Sequence, residues 1–249
     1  MKSPMISIII ATYNASKTLA ECLSSIHGQT FRNFEIIIVD GASTDNTIGI
    51  IQKYGDLVAK FVSKKDSGIY EAWNTGLKLA TGNYICFIGA DDYFHDNESL
   101  SHLEEALSEE KYDLVTSMGL FLGPGNKNHI IGKPWNFKSL QKRITICHPG
   151  LMHHRSLFSK YGEFDASLKI VGDYEFLLRL PESIKSKHVA IPTVCIRDGG
   201  ISRSRLSLML SEKRQVQSRC PRIGPAKAWF NYFDKLWRIP VARILGISY

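Results

Sequence analysis

Cysteine is scarce and poorly placed for cross-links or zinc. The chain has five cysteines, an odd number, and no two of them are separated by only two residues. A disulfide framework and a structural zinc site are therefore both disfavoured, and this usage is typical of a reducing compartment.

Long hydrophobic runs are also missing. No segment approaches the ~20 apolar residues that a membrane span needs, and the apolar run at residues 5–11 is too short for a signal peptide. We therefore expect a cytoplasmic protein. Its 249 residues, of which 44% are hydrophobic and 22% charged, suffice for a core without disulfides.

Glycine is missing from the turn after the first predicted strand, where many nucleotide-binding proteins need it. The turn at residues 12–15 reads Thr-Tyr-Asn-Ala, and neither Gly-x-Gly-x-x-Gly nor a Walker sequence is present. Dehydrogenases with a dinucleotide cofactor and P-loop kinases are thereby excluded. A nucleotidyltransferase would also typically carry a Gly-rich loop here.

Buried strands and helices alternate over the first 90 residues. Strands are predicted at residues 6–12, 34–40, 57–63 and 83–89, and helices at 17–27, 46–54 and 69–80. Ser16 and Asp45 are the predicted caps of the first two helices. This order predicts an α/β fold with a mainly parallel sheet, whose ligand binds at the carboxyl ends of the strands.

Polar side chains follow four strands at that edge. They are Thr12-Tyr13-Asn14, Asp40, Asp66-Ser67-Gly68 and Asp91-Asp92. One crevice of nucleotide size can touch all four. Two adjacent carboxylates repel each other and are tolerated beside a positive charge, so the pair that ends the fourth strand predicts a cation.

Beyond residue 110 the pattern is mixed. A hairpin is predicted from residues 112–122 and 128–134, a helix over 172–180 and a strand within 187–200. We expect one domain over residues 1–200, in which 1–110 bind the nucleotide and 111–200 bind the acceptor.

Positive charge concentrates in the last fifth of the chain. Residues 201–249 hold ten Lys and Arg and two acidic residues, a net charge of +8, whereas the whole chain has +7. Aromatic residues alternate there with Lys235, Arg238 and Arg243. This extension predicts either an amphipathic helix on an anionic membrane surface or a helix docked on the domain with a solvated basic face. No nucleic-acid-binding motif is recognisable.

Four sequence blocks, in the right order, resemble the family 2 glycosyltransferases of the GT-A fold. They are "SIIIATYN", "EIIIVDGASTDNT", "DSGIYEAWNTGLKLATGNYICFIGADD" and "VGDYEFLLRL". The resemblance covers about residues 5–205 and is strongest toward bacterial enzymes of O-antigen and exopolysaccharide assembly. It implies a mixed, mainly parallel sheet flanked by helices, with residues 201–249 as a basic helical extension.

The resemblance implies a nucleotide-sugar donor, and a UDP-sugar above all. The donor-binding residues that it implies are Thr12, Tyr13, Asn14, Asp40, Asp66, Gly68 and Asp91. A carboxylate such as Asp40 can accept a hydrogen bond from uracil N3 or from a ribose hydroxyl.

Asp91 and Asp92 correspond to the end of the family's Asp-x-Asp element and are the candidate metal ligands. Mn²⁺ or Mg²⁺ bound there would offset their repulsion and neutralise the leaving UDP. Many relatives have Asp-Ser-Asp-Asp, but here Gly89 and Ala90 precede the pair, so one carboxylate is missing and the expected metal affinity is modest. The alternative for the pair is a helix cap in a solvated loop.

Asp173 is the candidate catalytic base. Inverting transfer is an in-line displacement in which a carboxylate takes the proton of the acceptor hydroxyl. Relatives carry Glu-Asp or Asp-Asp at this point, whereas Gly172 precedes Asp173 here. A simple N-cap role is the alternative for Asp173, and Glu175 is the second candidate base.

Further candidates for acceptor or diphosphate contacts are His148, Arg203 and Arg205. The two arginines, together with Arg197, flank a predicted flexible loop at residues 199–202, which in this fold closes over the donor diphosphate. Each of them also fits a solvated basic surface. His153, His154 and Arg155 are expected to be packing or structural residues.

Together these features predict a metal-dependent, inverting glycosyltransferase of surface polysaccharide biosynthesis. The expected acceptor is a saccharide on a lipid carrier at the inner face of the membrane. Two alternatives stay open: a soluble or protein acceptor, with the extension as an oligomerisation helix, and a catalytically silent family member that acts as a binding or scaffolding subunit. The missing carboxylates at residues 89 and 172 give the second alternative some weight.

Overall fold

The computed structural model describes residues 5–244, apart from the side chains of Arg203 and of residues 239–244. The strands of this part of the chain are β1 (Ile6–Thr12), β2 (Phe34–Asp40), β3 (Lys60–Ser63), β4 (Tyr84–Gly89), β5 (Tyr93–Phe94), β6 (Leu114–Leu122), β7 (His129–Ile131), β8 (Met152–His154) and β9 (Ser186–Arg197). The helices are α1 (Leu19–His27), α2 (Thr47–Lys53), α3 (Ile69–Leu79), α4 (Ser99–Glu109), α5 (Phe137–Leu140), α6 (Ser156–Tyr161), α7 (Gly172–Arg179), α8 (Ile201–Ser204), α9 (Leu206–Arg219) and α10 (Gly224–Ile244).

All nine described strands form one mixed sheet in the order β3-β2-β1-β4-β8-β6-β9-β5, with β7 paired to β6. The first four strands are parallel, and β6 and β9 are parallel, whereas β8, β7 and β5 pair in the antiparallel sense. The predicted α/β class is confirmed, as are the parallel first half and the hairpin of the mixed second half.

The central strands are buried on both faces. Ile8, Ile9 and Ile10 are fully buried, and they alternate between two hydrophobic clusters on opposite sides of the sheet. Such a run of β-branched residues suits a strand that helices cover on both faces. The clusters place α1 and α4 on one face, and α3 and α7 on the other.

Predictions for three segments are corrected by the structure. β3 begins at Lys60 rather than 57, because Leu57 and Val58 close turns onto the carbonyl of Tyr54. α1 begins at Leu19, and Thr18 rather than Ser16 holds its N-cap position, because residues 15–18 form a turn in which the N–H groups of Thr18 and Leu19 both donate to the carbonyl of Ala15. The predicted flexible loop at residues 199–202 runs into the short helix α8.

The basic extension folds onto the domain through α9. Val216 of α9 is buried in the same hydrophobic cluster as α7, and Ala228 of α10, which packs against α9, is fully buried. α10 leaves Phe230, Phe233 and Trp237 exposed. Among the described residues, no helix combines the length and the hydropathy that crossing a bilayer requires.

Candidate functional site

The register of the parallel strands brings their carboxyl ends to one edge. Thr12 lies opposite Asp40, and Asp40 lies opposite Ser63. The buried carboxylate of Asp40 accepts hydrogen bonds from Thr12 Oγ1 (2.9 Å), Ser63 Oγ (2.8 Å) and the backbone N–H of Ser43 (2.9 Å). Burial would raise the pKa of Asp40, but these donors outweigh it and lower the pKa. Asp40 therefore ties three strand ends together.

The turn after β1 is held by Asn14. Its backbone is in the left-handed region (φ 50°), and its Oδ1 accepts from the N–H groups of Thr44 (2.8 Å) and Asp45 (3.3 Å). Asparagine tolerates this conformation better than most residues. Tyr13 beside it is 67% exposed, so its ring is free to stack on a base.

Asp66 packs against the end of β2. A Cβ built on Gly41 would lie 3.1 Å from Asp66 Oδ2, so glycine leaves space for this close approach. Burial is the main cause that raises the pKa of Asp66, with Glu71 and Asp40 adding to it, while the N–H of Gly68 donates to Oδ1 (3.0 Å) and opposes the shift. Gly68 adopts φ 139°, which favours glycine.

The carboxylates of Asp91 and Asp92 converge over Gly89. A Cβ on Gly89 would lie 2.6 Å from an Asp91 oxygen and 3.0 Å from an Asp92 oxygen. Asp92 is 7% exposed. Burial first, and the charge of Asp91 second, raise the pKa of Asp92 to about 8. A side chain at residue 89 would therefore have to displace one of these carboxylates.

Arg197, at the end of β9, is the cation beside this pair. Its Nη1 donates to the carbonyl of Asp91 (2.8 Å), and its backbone N–H donates to Asp92 Oδ1 (3.3 Å). Its Nη2 pairs with Glu21 of α1, and the guanidinium lies 4.9 Å from the ring centroid of Tyr93. If Arg197 bound a phosphate, the phosphate would compete with Glu21 for the guanidinium group.

Asp91 and Asp92 fit a hard divalent cation as a two-carboxylate site. Mg²⁺ usually takes one or two protein carboxylates and completes its shell with substrate phosphates and water. The crowding of two carboxylates at Gly89 suits such an ion. In the described part of the chain, no group of three or more His, Cys, Asp and Glu side chains is arranged to hold a metal. The other ligands would have to come from the donor and water.

Asp173 lies in the first turn of α7 and contacts α3. The hydroxyl of Tyr70 donates to the carbonyl of Ile170 (2.7 Å) and lies 3.1 Å from Asp173 Oδ1. Burial raises the pKa of Asp173, although the N–H of Tyr174 and the hydroxyl of Tyr70 oppose it. The Tyr70 contact therefore orients the carboxylate, and burial shifts its pKa toward the range of a general base.

The same tyrosine explains Gly172. A Cβ on Gly172 would lie 2.8 to 2.9 Å from three carbons of the Tyr70 ring. Real Cβ atoms essentially never come that close to a ring, so a carboxylate side chain at residue 172 would require Tyr70 to move. Glu175, the second candidate base, is instead engaged with Arg179 in an ion pair (3.1 Å).

The remaining candidates for acceptor or diphosphate contacts are His148, Arg203 and Arg205. His148 is 6% exposed, stacks on Trp73 with ring centroids 5.2 Å apart, and lies 5.3 Å from the ring of His153. Arg205 is exposed, and the side chain of Arg203 lies outside the described residues. Contacts of these three with an acceptor or a diphosphate stay predictions.

Sequence reasoning missed three residues that hold the site. Ser43 and Ser63 bind Asp40, and Tyr70 binds the segment before Asp173. Tyr70 lies in the "DSGIYEAWNTG" block, which was the available signal. The partners of the serines depend on strand register, which the local sequence does not reveal.

The chain belongs to glycosyl transferase family 2. The model of that family matches residues 7–167. A PGL/p-HBAD biosynthesis glycosyltransferase of Mycobacterium tuberculosis is 33% identical over 183 residues, which cover 72% of this chain and 70% of that protein. Chondroitin synthase of Escherichia coli is 29% identical over 190 residues, which cover 75% of this chain but 28% of that enzyme.

Solved glycosyltransferases share the fold. S. aureus TarS 1-349 in complex with UDP-GlcNAc matches 90% of this chain and 69% of its own, with a TM-score of 0.70 and 19% identity. The mannosyltransferase PcManGT from Pyrobaculum calidifontis, in complex with GDP-Man and Mn²⁺, matches 98% of this chain and 74% of its own, with a TM-score of 0.67 and 19% identity. The GT-A architecture and the resemblance to family 2 are thereby confirmed.

Proposed function

We propose that this protein is a metal-dependent, inverting glycosyltransferase that uses a UDP-sugar. The observation that carries the proposal is the convergence of Asp91 and Asp92 over Gly89, at the strand edge that also holds Asp40 and Asp66. The UDP-GlcNAc bound by TarS and the Mn²⁺ and GDP-Man bound by PcManGT support a nucleotide-sugar and a divalent ion. Two carboxylates suit an ion that shares its shell with a diphosphate.

The donor would lie across the carboxyl ends of β1, β2 and β4. Thr12, Tyr13 and Asn14 are proposed to line the base, with Asp40, Asp66 and Gly68 near the nucleoside. Asp91 and Asp92 would hold the metal, which supplies charge neutralisation at the departing diphosphate.

Asp173 is proposed to act as the base. As the acceptor oxygen forms a bond to the anomeric carbon, its proton passes to the Asp173 carboxylate, and the bond from that carbon to the diphosphate oxygen breaks with its electron pair leaving on UDP. Tyr70 keeps the carboxylate oriented at 3.1 Å. A raised pKa strengthens Asp173 as a proton acceptor near neutral pH.

The acceptor is proposed to be a saccharide on a lipid carrier, in the assembly of a surface polysaccharide, at the inner face of the membrane. Supporting features are the exposed aromatic residues of α10 and the basic charge around them, which suit an anionic lipid surface. In this proposal residues 1–110 bind the donor, 111–200 bind the acceptor, and 201–249 are the basic extension.

A thermal-shift experiment tests the donor site. Purified protein is heated with UDP, GDP, dTDP or CMP, each with and without Mn²⁺. Since a ligand at a hundred times its dissociation constant stabilises by ~2.7 kcal/mol, UDP with Mn²⁺ is expected to raise the melting temperature. Asp92→Ala should abolish the metal-dependent shift, whereas the exposed control Asp56→Ala should retain it.

The same screen, together with an assay of sugar transfer and donor hydrolysis, separates the main alternatives. If only GDP or only dTDP gives a metal-dependent shift, that nucleotide rather than UDP belongs to the donor. No transfer of sugar, and no hydrolysis of any donor with Mn²⁺, would favour the silent binding or scaffolding subunit.

A further inference from the structure

Three consecutive backbone amides before α7 point at one side chain of the extension. The carboxylate of Glu212, in α9, accepts from the N–H of Lys169 (2.8 Å) through Oε1. Its Oε2 accepts from the N–H groups of Ile170 (2.9 Å) and Val171 (3.3 Å). The side chain is 7% exposed although it is charged, so these amides take the place of water around it.

The other side of this segment is held by the donor half of the chain. Tyr70 donates to the carbonyl of Ile170 (2.7 Å), and Lys169 Nζ donates to the carbonyl of Ser67 (2.5 Å). Residues 169–171 are thus clamped between the loop that carries Asp66 and Gly68, and Glu212 of the extension. Asp173 follows this clamp by two residues.

A merely structural role for Glu212 is the simpler alternative. Buried carboxylates that accept several N–H groups stabilise many folds, and removing one leaves unpaired amides at a cost in stability. The location of these amides argues for more than a structural role, because residues 169–171 lead directly into the first turn of α7, which carries Asp173. Loss of Glu212 would therefore change where Asp173 lies, as well as how stable α9 is.

We propose that Glu212 is a positioning residue for Asp173, and that α9 is for this reason part of the catalytic unit. This inference rests on the proposed role of Asp173 as the base. Glu212 contacts no reacting atom in this scheme. It fixes the backbone from which the base projects, from 39 residues further along the chain.

The test compares Glu212→Ala, Glu212→Gln and a matched control in the same helix, Val216→Ala. Val216 is buried but contributes only apolar packing. A displacement of about 1 Å in a catalytic group can cost 10²-fold in rate, so kcat is expected to fall about tenfold to a hundredfold in Glu212→Ala. Glu212→Gln keeps one acceptor oxygen and should retain an intermediate rate.

The donor KM is expected to stay within about twofold in both Glu212 variants, since the proposed donor contacts are untouched. Val216→Ala should lower the melting temperature while its kcat stays within about threefold of the wild-type value. Hydrogen exchange should accelerate at the amides of residues 169–171 in the Glu212 variants and not in the control.

An unchanged kcat in Glu212→Ala would overturn the inference, as would equal losses of kcat in Glu212→Ala and Val216→Ala at equal melting temperatures. A wild-type protein without transfer activity would instead count against the proposed function. The exchange rates would then decide by themselves whether Glu212 holds this segment.

Discussion

Gly89 and Gly172 stand where the resemblance to family 2 leads us to expect a carboxylate. In both positions a neighbouring side chain takes the space: the two aspartates crowd Gly89, and the ring of Tyr70 covers Gly172. The departures are therefore compatible with an intact site, because the neighbours fill what the missing side chains leave. They do not by themselves favour a silent protein.

Replacing Asp173 by Asn is expected to lower kcat by about 10²- to 10⁴-fold, since general-base catalysis contributes that much. Steady-state kinetics give kcat, and thermal shift with UDP and Mn²⁺ should give the wild-type nucleotide response. Glu175→Gln is the matched control and should keep most of the activity.

The wild-type kcat should fall as the pH falls through the pKa of Asp173, which burial raises from its ordinary value. The base must be deprotonated to act, so activity is present above this pKa and lost below it. If Glu175→Gln is the inactive variant, Glu175 replaces Asp173 as the base.

His148 predicts a dependence of stability on pH. Burial lowers the pKa of this histidine from 6.5 to about 3, so the unfolded chain takes up its proton first as the pH falls. The stability linked to the neutral form of His148 is fully present above pH 6.5 and is lost progressively as the pH falls from there toward 3. Between pH 7 and pH 5, the free energy of unfolding of the wild type should therefore fall by about 2 kcal/mol more than that of His148→Phe.

Urea unfolding of both proteins at pH 7 and pH 5 measures this difference, and the comparison cancels the opposite contributions of carboxyl groups with raised pKa values. His154→Phe, at a half-buried site, is the control and should show a smaller difference. Equal pH dependence of the wild type and His148→Phe would mean that folding does not shift the pKa of His148.

At the scale of elements, long apolar strands were predictable and their contacts were not. β1 and β2 have the predicted bounds because runs of Ile and Val end at polar residues. The predicted cap of α1 was wrong: Thr18 holds that position, after a turn at residues 15–18 that the distant Asp45 contacts through the N–H of Ser16. The bond between Glu212 and residues 169–171 has no local pattern at all, so only the fold reveals it.

The exposed face of α10 predicts binding to anionic membranes. Phe230 and Trp237 are 71% and 75% exposed, and this helix has four basic residues and one acidic residue. In sedimentation with vesicles, the protein should bind phosphatidylglycerol-containing vesicles more than pure phosphatidylcholine, and less at high salt. The double variant Phe230→Ser and Trp237→Ser should lose this binding.

Ile130→Ser removes an exposed apolar side chain of β7 and should bind like the wild type. Equal sedimentation of the double variant and the wild type would instead leave α10 free for another role, such as contact with a second copy. Measurement of the molecular mass of both proteins in solution would then distinguish a dimer from a monomer.

At the scale of the whole molecule, charge and chemistry are separated along the chain. Residues 1–200 have a net charge of −1 and contain all the carboxylates of the site, whereas residues 201–249 have +8. The negative donor would therefore meet acidic strand ends that a metal must neutralise. The basic extension is proposed to meet the membrane and, through Glu212, to support the base.

The pairing of β5 with β9 has a consequence for synthesis on the ribosome. Tyr93 aligns with Cys195, so Arg197 reaches Asp91 and Asp92 only after about a hundred further residues have been translated. Chains emerge N-terminus first, and the parallel strands β1 to β4 can assemble early. In the proposed scheme, a nascent chain would thus form the proposed nucleotide crevice before Arg197 and Glu212 are available to hold the proposed metal ligands and base, and it would be unable to consume donor until both have emerged.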